Sequence, residues 1–164
     1  MSIVDGIIAE LQFEAIGTRK VLARIPENEL DWRPHAKSFT MGELASHVAD
    51  IVTYMVSICD RDELIFDPTQ WKPFAGANAQ ELVEHFDKGL QQAAEALRTC
   101  SDEKMLAKWR MVMDGKELFC MPRVAVVRSM VLNHLVHHRA QLTVYLRMRE
   151  IPVPGLYGPS ADEE

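Results

Sequence analysis

The sequence lacks the features that tie a chain to membranes, nucleic acids or an oxidising compartment. Its three cysteines, Cys59, Cys100 and Cys120, are odd in number and far apart, which favours reduced structural thiols over a disulfide framework or a Cys-x-x-Cys metal site. No apolar run approaches the length that crosses a bilayer. The 18 basic residues are dispersed among 24 acidic ones and form no block that could neutralise phosphates. We therefore expect neither a membrane nor a nucleic-acid partner.

We expect no export signal at the amino terminus. Residues 1–5 place an aspartate where a signal peptide carries basic residues, and the apolar residues that follow are spaced rather than continuous. We therefore expect a cytoplasmic protein. With 164 residues, of which 48% are hydrophobic, the chain can bury one full core but is too short to indicate two. We expect one domain over residues 1–164, with an irregular, proline-stiffened tail over 151–164.

Several catalytic motifs are missing, and each absence removes a class of enzyme. The chain has no His-Glu-x-x-His, so a zincin protease would lack its base and its ligands. It has no paired Glu-x-x-His motifs for a di-iron bundle. The glycines are too dispersed for a phosphate-binding loop, and no Gly-x-Ser-x-Gly elbow is present.

Helical periodicity dominates what the sequence does contain. Apolar residues recur at the spacing of one helix face in four segments. The second and third segments begin with capping-box spacings, Thr40 with Glu43 and Asn78 with Glu81. The four segments span residues 4–22, 40 to a point between 59 and 64, 78–97, and 122–149. This pattern predicts an all-α fold, a four-helix bundle whose topology periodicity does not determine.

Two connections stand out between these segments. Residues 66–77, with two prolines and a glycine, form the longest irregular stretch, and such connections often cover the mouth of a site. Before the last helix, Asp114-Gly115 lies between apolar residues, which predicts a short hairpin or extended excursion within 108–120.

Three histidines form the most informative set in the chain. His134 and His138 are four residues apart on the last helix, so their side chains face the same way and can share one ion. Wound at about 100° per residue, that helix places both on its buried stripe. His47 lies at the edge of the inward face of the second helix and can turn toward the core. The spacing therefore predicts a three-histidine metal site.

A simpler interpretation is that these histidines are hydrogen-bonded core residues without a metal. Against it, burying unpaired imidazole nitrogens costs about 1–3 kcal/mol each, and a shared divalent cation removes that cost. The other histidines are weaker candidates. His137 points off the stripe, His35 lies in a proline-rich connection, and His85 lies at the edge of the third helix's apolar face.

Three further residues are candidates for the pocket or for supporting the ligands. Asp50, one turn after His47, can orient an imidazole, although it is also typical of a solvated helix residue. Tyr54 can supply a phenol proton or simply pack in the core. Gln141, one turn after His138, can line the pocket or bond within its helix.

The order and spacing of several segments resemble the DinB-like (DinB/YfiT) family of damage-inducible and related bacterial proteins. The segments are Trp32-Arg33-Pro34-His35, residues 42–50, His134-Leu135-Val136-His137-His138-Arg139-Ala140-Gln141 and residues 157–163, so the resemblance covers essentially the whole chain. Family members commonly have glycine where this chain has Ala140, a difference that removes no ligand.

This resemblance implies an up-up-down-down four-helix bundle, often a homodimer, with a divalent metal held by His47, His134 and His138. Some relatives are similar to transferases that use bacillithiol, mycothiol or glutathione, one branch isomerises maleylpyruvate, and many have no known reaction. Our leading hypothesis is an enzyme acting on a small molecule, whose zinc or nickel ion activates a low-molecular-weight thiol or water. The alternatives are a metal-dependent hydrolase and a non-catalytic, metal-stabilised dimeric stress protein.

Overall fold

The computed structural model describes residues 2–163 and is mostly helical. The long helices correspond to the four segments of helical periodicity, and the second and fourth segments are each divided. A short helix, α5, follows the third segment and was not predicted. The helices are α1 (Ile3–Leu22), α2 (Met41–Asp50), α3 (Tyr54–Asp60), α4 (Ala79–Arg98), α5 (Asp102–Leu106), α6 (Arg123–Val127) and α7 (Asn133–Met148).

The predicted caps of α2 and α4 are present. The Thr40 hydroxyl accepts from the Glu43 amide at 3.1 Å, and the Glu43 carboxylate accepts from the Thr40 amide at 2.7 Å. At α4, the Asn78 side chain accepts from the Glu81 amide at 2.9 Å. Each bond satisfies a backbone donor that has no partner within its helix.

Neither interruption of a helical segment was predicted, because no proline or glycine marks it. Between α2 and α3, Ile51–Thr53 forms a 3-10 turn, where the Thr53 hydroxyl donates to the Asp50 carbonyl at 2.7 Å and competes with the regular helix bonds. Between α6 and α7, Arg128–Leu132 forms a π-helical turn, a feature frequently found at functional sites.

The all-α fold class requires a correction, because the structure contains a three-stranded sheet in the order β1-β2-β3. Strands β1 (Glu63–Phe66), β2 (Lys108–Met113) and β3 (Lys116–Pro122) form it. Strand β1 lies where the sequence predicted only a helix end and a loop. It pairs in parallel with β2, with Glu63 opposite Arg110, and a four-residue strand stabilised by so distant a partner carries little local signal.

The predicted hairpin is confirmed as β2 and β3, which pair antiparallel. Asp114 and Gly115 form its two-residue loop with φ of 51° and 73°. Positive φ at both loop residues matches the tight hairpin turn that suits the twist of the strands, and Asp-Gly is a preferred pair there.

The core lies where α2 packs against α4 and α7, and where α1 packs against the same two helices. Its fully buried members include Leu11, Leu44, Phe86, Leu97 and Leu142. The up-up-down-down order remains a prediction. Within residues 2–163, no helix has both the length and the apolar character that a bilayer crossing requires.

Candidate metal centre

Two packed helices position the three predicted histidines. His47 lies near the end of α2, whose start is held by the Thr40 capping box. His134 and His138 lie on the first turns of α7, directly after the π-helical turn. Because α2 contacts α7, residues 87 positions apart meet in one place.

The three imidazole rings form one compact cluster. The Nε2 atoms of His47 and His134 lie 3.1 Å apart, and the ring centroids of the three pairs are separated by 4.9, 4.7 and 4.7 Å. One ring nitrogen from each histidine lies within 4.8 Å of the others. Nitrogens that share one zinc ion at about 2.0–2.1 Å lie roughly 3–4 Å apart, so the cluster has the dimensions to hold an ion.

Hydrogen bonds orient two of the rings. The Nδ1 atom of His134 lies 3.2 Å from the carbonyl oxygen of Met130, which can only accept, so Nδ1 carries the proton. The Nδ1 atom of His138 lies 2.7 Å from the side-chain oxygen of Gln141. This oxygen also can only accept, so Nδ1 of His138 carries the proton as well. In the neutral rings Nε2 of both histidines therefore carries the lone pair that can bind a metal.

The surroundings keep these rings uncharged. Burial, reinforced by repulsion from His138 and His134, lowers the pKa of His47 to about 4. Burial likewise lowers the pKa of His134 and of His138, against the opposing effect of their hydrogen bonds to Met130 and Gln141. At neutral pH all three rings are therefore neutral, which is the form that binds a metal.

The buried stripe of the last helix differs from the predicted one. His134 and His138 are half-buried, whereas Leu135, Arg139, Leu142 and Leu146 are buried. The π-helical turn before α7 has a different period from an α-helix, so a uniform helical wheel drawn across it misplaces the residues that follow. The histidines consequently lie on the flank of the stripe, accessible from outside the core.

Arg139, next to His138, was not predicted to be buried but is only 2% exposed. Its guanidinium contacts the Glu14 carboxylate at 2.6 Å and donates to the Tyr157 hydroxyl at 2.7 Å. It thereby fastens the carboxyl-terminal tail to α1 and α7. The sequence signal for this ion pair was a charged residue among the apolar residues of the last helix, because a buried arginine requires a partner of opposite charge.

Asp50 was a candidate for orienting an imidazole of the cluster, but in the structure it contacts a different histidine. Its carboxylate lies 2.8 Å from Nε2 of His85 on α4, and the His85 ring stacks on Phe74 with centroids 3.7 Å apart. None of the cluster's rings forms a hydrogen bond to Asp50 within residues 2–163. Its charge does act at a distance, because it opposes the lowering of the pKa of His47.

The remaining histidines lie outside the cluster. His137 is exposed, with its ring centroid 4.8 Å from that of His138. His35 is exposed and accepts from the backbone amide of Lys37 at 3.1 Å. Of the residues that the structure describes, only His47, His134 and His138 bring three potential ligand atoms together.

Two cavities open beside the cluster and differ in character. The first, of about 540 Å³, is lined by His47 and by the acidic residues Asp31, Glu43 and Asp50 among mainly apolar neighbours; we call it the acidic chamber. The second, of about 410 Å³, includes His134 and Tyr54 and is otherwise mainly apolar; we call it the aromatic chamber. Trp71, in the connection predicted to cover a site, lines both.

Comparison with known proteins agrees with this architecture. A model of the DinB family matches residues 1–164. The chain belongs to the DinB family. It is 27% identical over 161 residues to the uncharacterized protein YrdA of Bacillus subtilis (strain 168), covering 98% of this chain and 91% of that protein.

Two solved structures share the fold of this DinB-family chain. A DinB-like protein from Bacillus cereus ATCC 10987 superposes with a TM-score of 0.70 at 21% identity, covering 93% of this chain and 97% of that chain. The DinB-like protein YjoA from Bacillus subtilis gives a TM-score of 0.70 at 14% identity, covering 97% and 99%. Both confirm the mixed helical fold, and the resemblance seen in the sequence is confirmed at the level of family.

Proposed function

We propose that this DinB-family protein is a metal-dependent enzyme whose His47, His134 and His138 hold one divalent ion, zinc or nickel. The observation that carries the proposal is the convergence of three neutral imidazoles within 4.8 Å on the accessible flank of the core. Three protein ligands leave at least one coordination position for a reactant. Zinc and nickel both suit imidazole ligands, so the ligand set does not choose between them.

We further propose that the reaction is the transfer of a low-molecular-weight thiol to an electrophilic small molecule. A bound divalent ion would lower the pKa of the thiol and so supply a nucleophile at neutral pH. The sulfur loses its proton to water, the sulfur–carbon bond forms, and the leaving group departs with the electrons of the bond that breaks. The two chambers support this choice, because two reactants need separate access to one centre.

The supporting residues have defined parts in this proposal. Met130 and Gln141 hold two rings with Nδ1 protonated, so that Nε2 stays available. Asp50, in the acidic chamber, adds negative charge near His47. Tyr54 lies in the aromatic chamber beside His134, where burial raises its pKa to about 12, so its hydroxyl remains a proton donor at neutral pH.

We also propose that the protein is a homodimer. Large apolar side chains are exposed on α1 and α7, namely Phe13, Ile16, Val144 and Met148, each more than half exposed. Because α1 and α7 contact each other, we assign the subunit contact to the exposed face of these two helices. Light scattering on the untagged protein would measure twice the chain mass if this is correct, and the mass of one chain if it is not.

Metal analysis of protein purified without a histidine tag tests the site. We expect about one equivalent of zinc or nickel per chain in the wild type, and loss of most of it in His47→Ala, His134→Ala and His138→Ala. His137→Ala is the matched control, since its ring is exposed and outside the cluster. Unchanged metal content in both His134→Ala and His138→Ala would exclude the site.

Activity assays then separate the candidate functions. Wild-type protein is incubated with a panel of low-molecular-weight thiols and electrophiles, before and after treatment with a chelator. Thiol-dependent turnover that stops on chelation and returns with zinc or nickel supports the transferase. Turnover without any thiol indicates a hydrolase, and a bound metal without turnover indicates the structural role.

A further inference from the structure

The lining of the aromatic chamber favours uncharged, apolar ligands. None of its lining residues is Asp, Glu, Lys or Arg, and most present rings, thioethers or aliphatic chains. Such walls stabilise flat apolar molecules by stacking and sulfur–aromatic contact and disfavour ions that would lose their hydration. The apolar wall includes Leu64, Phe66, Trp71, Trp109, Met111 and Met130.

Among the described residues that line the chamber, the Tyr54 hydroxyl and the buried indole NH of Trp109 are hydrogen-bond donors without a partner. The Tyr54 hydroxyl makes no hydrogen bond to the rest of residues 2–163, and its raised pKa keeps it protonated. The nearby Ser57 hydroxyl is already used, since it donates to the Tyr54 carbonyl at 3.0 Å. A ligand acceptor, such as a carbonyl or nitro oxygen, is thus the group that would complete the polar contacts of this chamber.

Size limits the ligand further. At about 410 Å³ the chamber falls in the range of small-molecule pockets, about 300–1,000 Å³, whereas an engineered cavity of about 150 Å³ already holds benzene. One ring or two fused rings with a short substituent therefore fit. The acidic chamber, which also includes Trp71, is lined by three acidic residues among mainly apolar ones, and the carboxylates of Glu43 and Asp50 already contact the Thr40 amide and His85.

We propose that the aromatic chamber is the binding site for an uncharged, one- or two-ring aromatic substrate whose acceptor oxygen meets the Tyr54 hydroxyl. The proposal rests on the proposed function, because it places this substrate beside His134, where the activated nucleophile reaches it. The second reactant, a thiol still carrying its proton, would reach the histidine cluster from the acidic chamber. Trp71, which lines both chambers, would thus belong to the binding sites of both reactants.

Binding of two matched probes tests the chamber. The neutral ketone 2-acetylnaphthalene and the anion 2-naphthoate share one ring system and differ in charge. Their affinities for the purified protein are measured by calorimetry and by quenching of tryptophan fluorescence, with the metal content of each sample determined alongside. We expect one site per chain for the ketone and binding at least tenfold weaker for the carboxylate.

Variants then assign the site. Met111→Trp adds an indole to the half-buried wall and should weaken ketone binding at least tenfold, whereas Asp31→Asn, in the acidic chamber, should leave it unchanged. Tyr54→Phe should weaken the ketone several-fold but leave unsubstituted naphthalene, which has no acceptor, unaffected. Circular dichroism spectra and melting temperatures matching the wild type confirm that each variant is folded.

The outcomes distinguish this proposal from the metal site. Equal affinity for ketone and carboxylate, or ketone binding that Met111→Trp does not weaken, overturns the chamber assignment even if the three histidines hold a metal. Conversely, selective ketone binding in protein that holds no metal leaves the chamber as a ligand site and overturns the metal-dependent reaction. Selective, variant-sensitive binding in metal-containing protein supports both.

Discussion

Arg139 and Glu14 form a buried ion pair at 2.6 Å between positions 125 residues apart in the chain. Their side chains are 2% and 10% exposed, so water has little access to either charge. The same arginine also donates to the Glu14 carbonyl and to the hydroxyls of Thr18 and Tyr157. It therefore joins the helix of His134 and His138 to α1 and to the tail.

We predict that Arg139→Leu lowers the free energy of unfolding by about 3–5 kcal/mol, because it leaves the buried Glu14 carboxylate without its countercharge and with only the Tyr157 hydroxyl as a side-chain donor. Urea denaturation measures this change. The matched control is Arg147→Leu, which removes an exposed pair with Asp162 and should be much less destabilising, because water screens that pair. If Arg139→Leu were no more destabilising than this control, the pair would not hold the tail and helices together.

We predict that Gln141→Ala weakens metal binding about tenfold or more while leaving the fold intact. The variant removes the oxygen that lies 2.7 Å from Nδ1 of His138 and fixes which nitrogen carries the proton. Competition with a chromogenic chelator measures the affinity. Gln91→Ala, on the exposed side of α4, is the control, and equal affinities in the two variants would show that Gln141 does not support the site.

We predict that the metal-free protein loses stability as the pH falls from about 6.5 toward 4. In the unfolded state His47 has a pKa of about 6.5, whereas in the folded state its pKa is about 4. Between the two the unfolded state binds more protons, so the free energy of unfolding rises with pH. Urea denaturation of chelator-treated protein from pH 4.5 to 7.5 measures the slope.

The His47→Leu variant isolates the contribution of this histidine to that pH dependence. It removes the titrating ring and should flatten the slope over the same range relative to the wild type. His35→Leu serves as the control, because His35 is exposed. A wild-type slope that His47→Leu leaves unchanged would mean that other groups cause the loss at low pH.

We predict that Thr40→Ala lowers the free energy of unfolding by about 1 kcal/mol, because the Glu43 amide at the start of α2 loses its acceptor. Thr69→Ala, in an exposed loop, should change it less. Thermal and urea denaturation measure both. A larger effect at Thr69 would contradict the idea that the capping box holds the helix of His47.

Local features of this chain could be predicted from its sequence because their causes are local. Apolar spacing predicted the long helices, and the caps at Thr40 and Asn78 follow from side chains that bond backbone groups three residues away. Asp114-Gly115 predicted the hairpin because few residue pairs accept positive φ at both positions. The three histidines also came from spacing and are found in one cluster.

Tertiary structure decided what depends on distant segments. The sheet forms because β1 pairs with β2, whose residue Arg110 is 47 positions from its partner Glu63. Neither the periodicity nor the composition of the sequence predicts a pairing between such distant residues. The π-helical turn rotated α7, so that Arg139 is buried and the histidines lie on an accessible flank. Asp50 contacts His85 instead of a histidine of the cluster because α4 packs beside α2. Sequence alone therefore determined which groups could bind a metal, whereas packing between helices determined how those groups face one another and which cavities lie beside them.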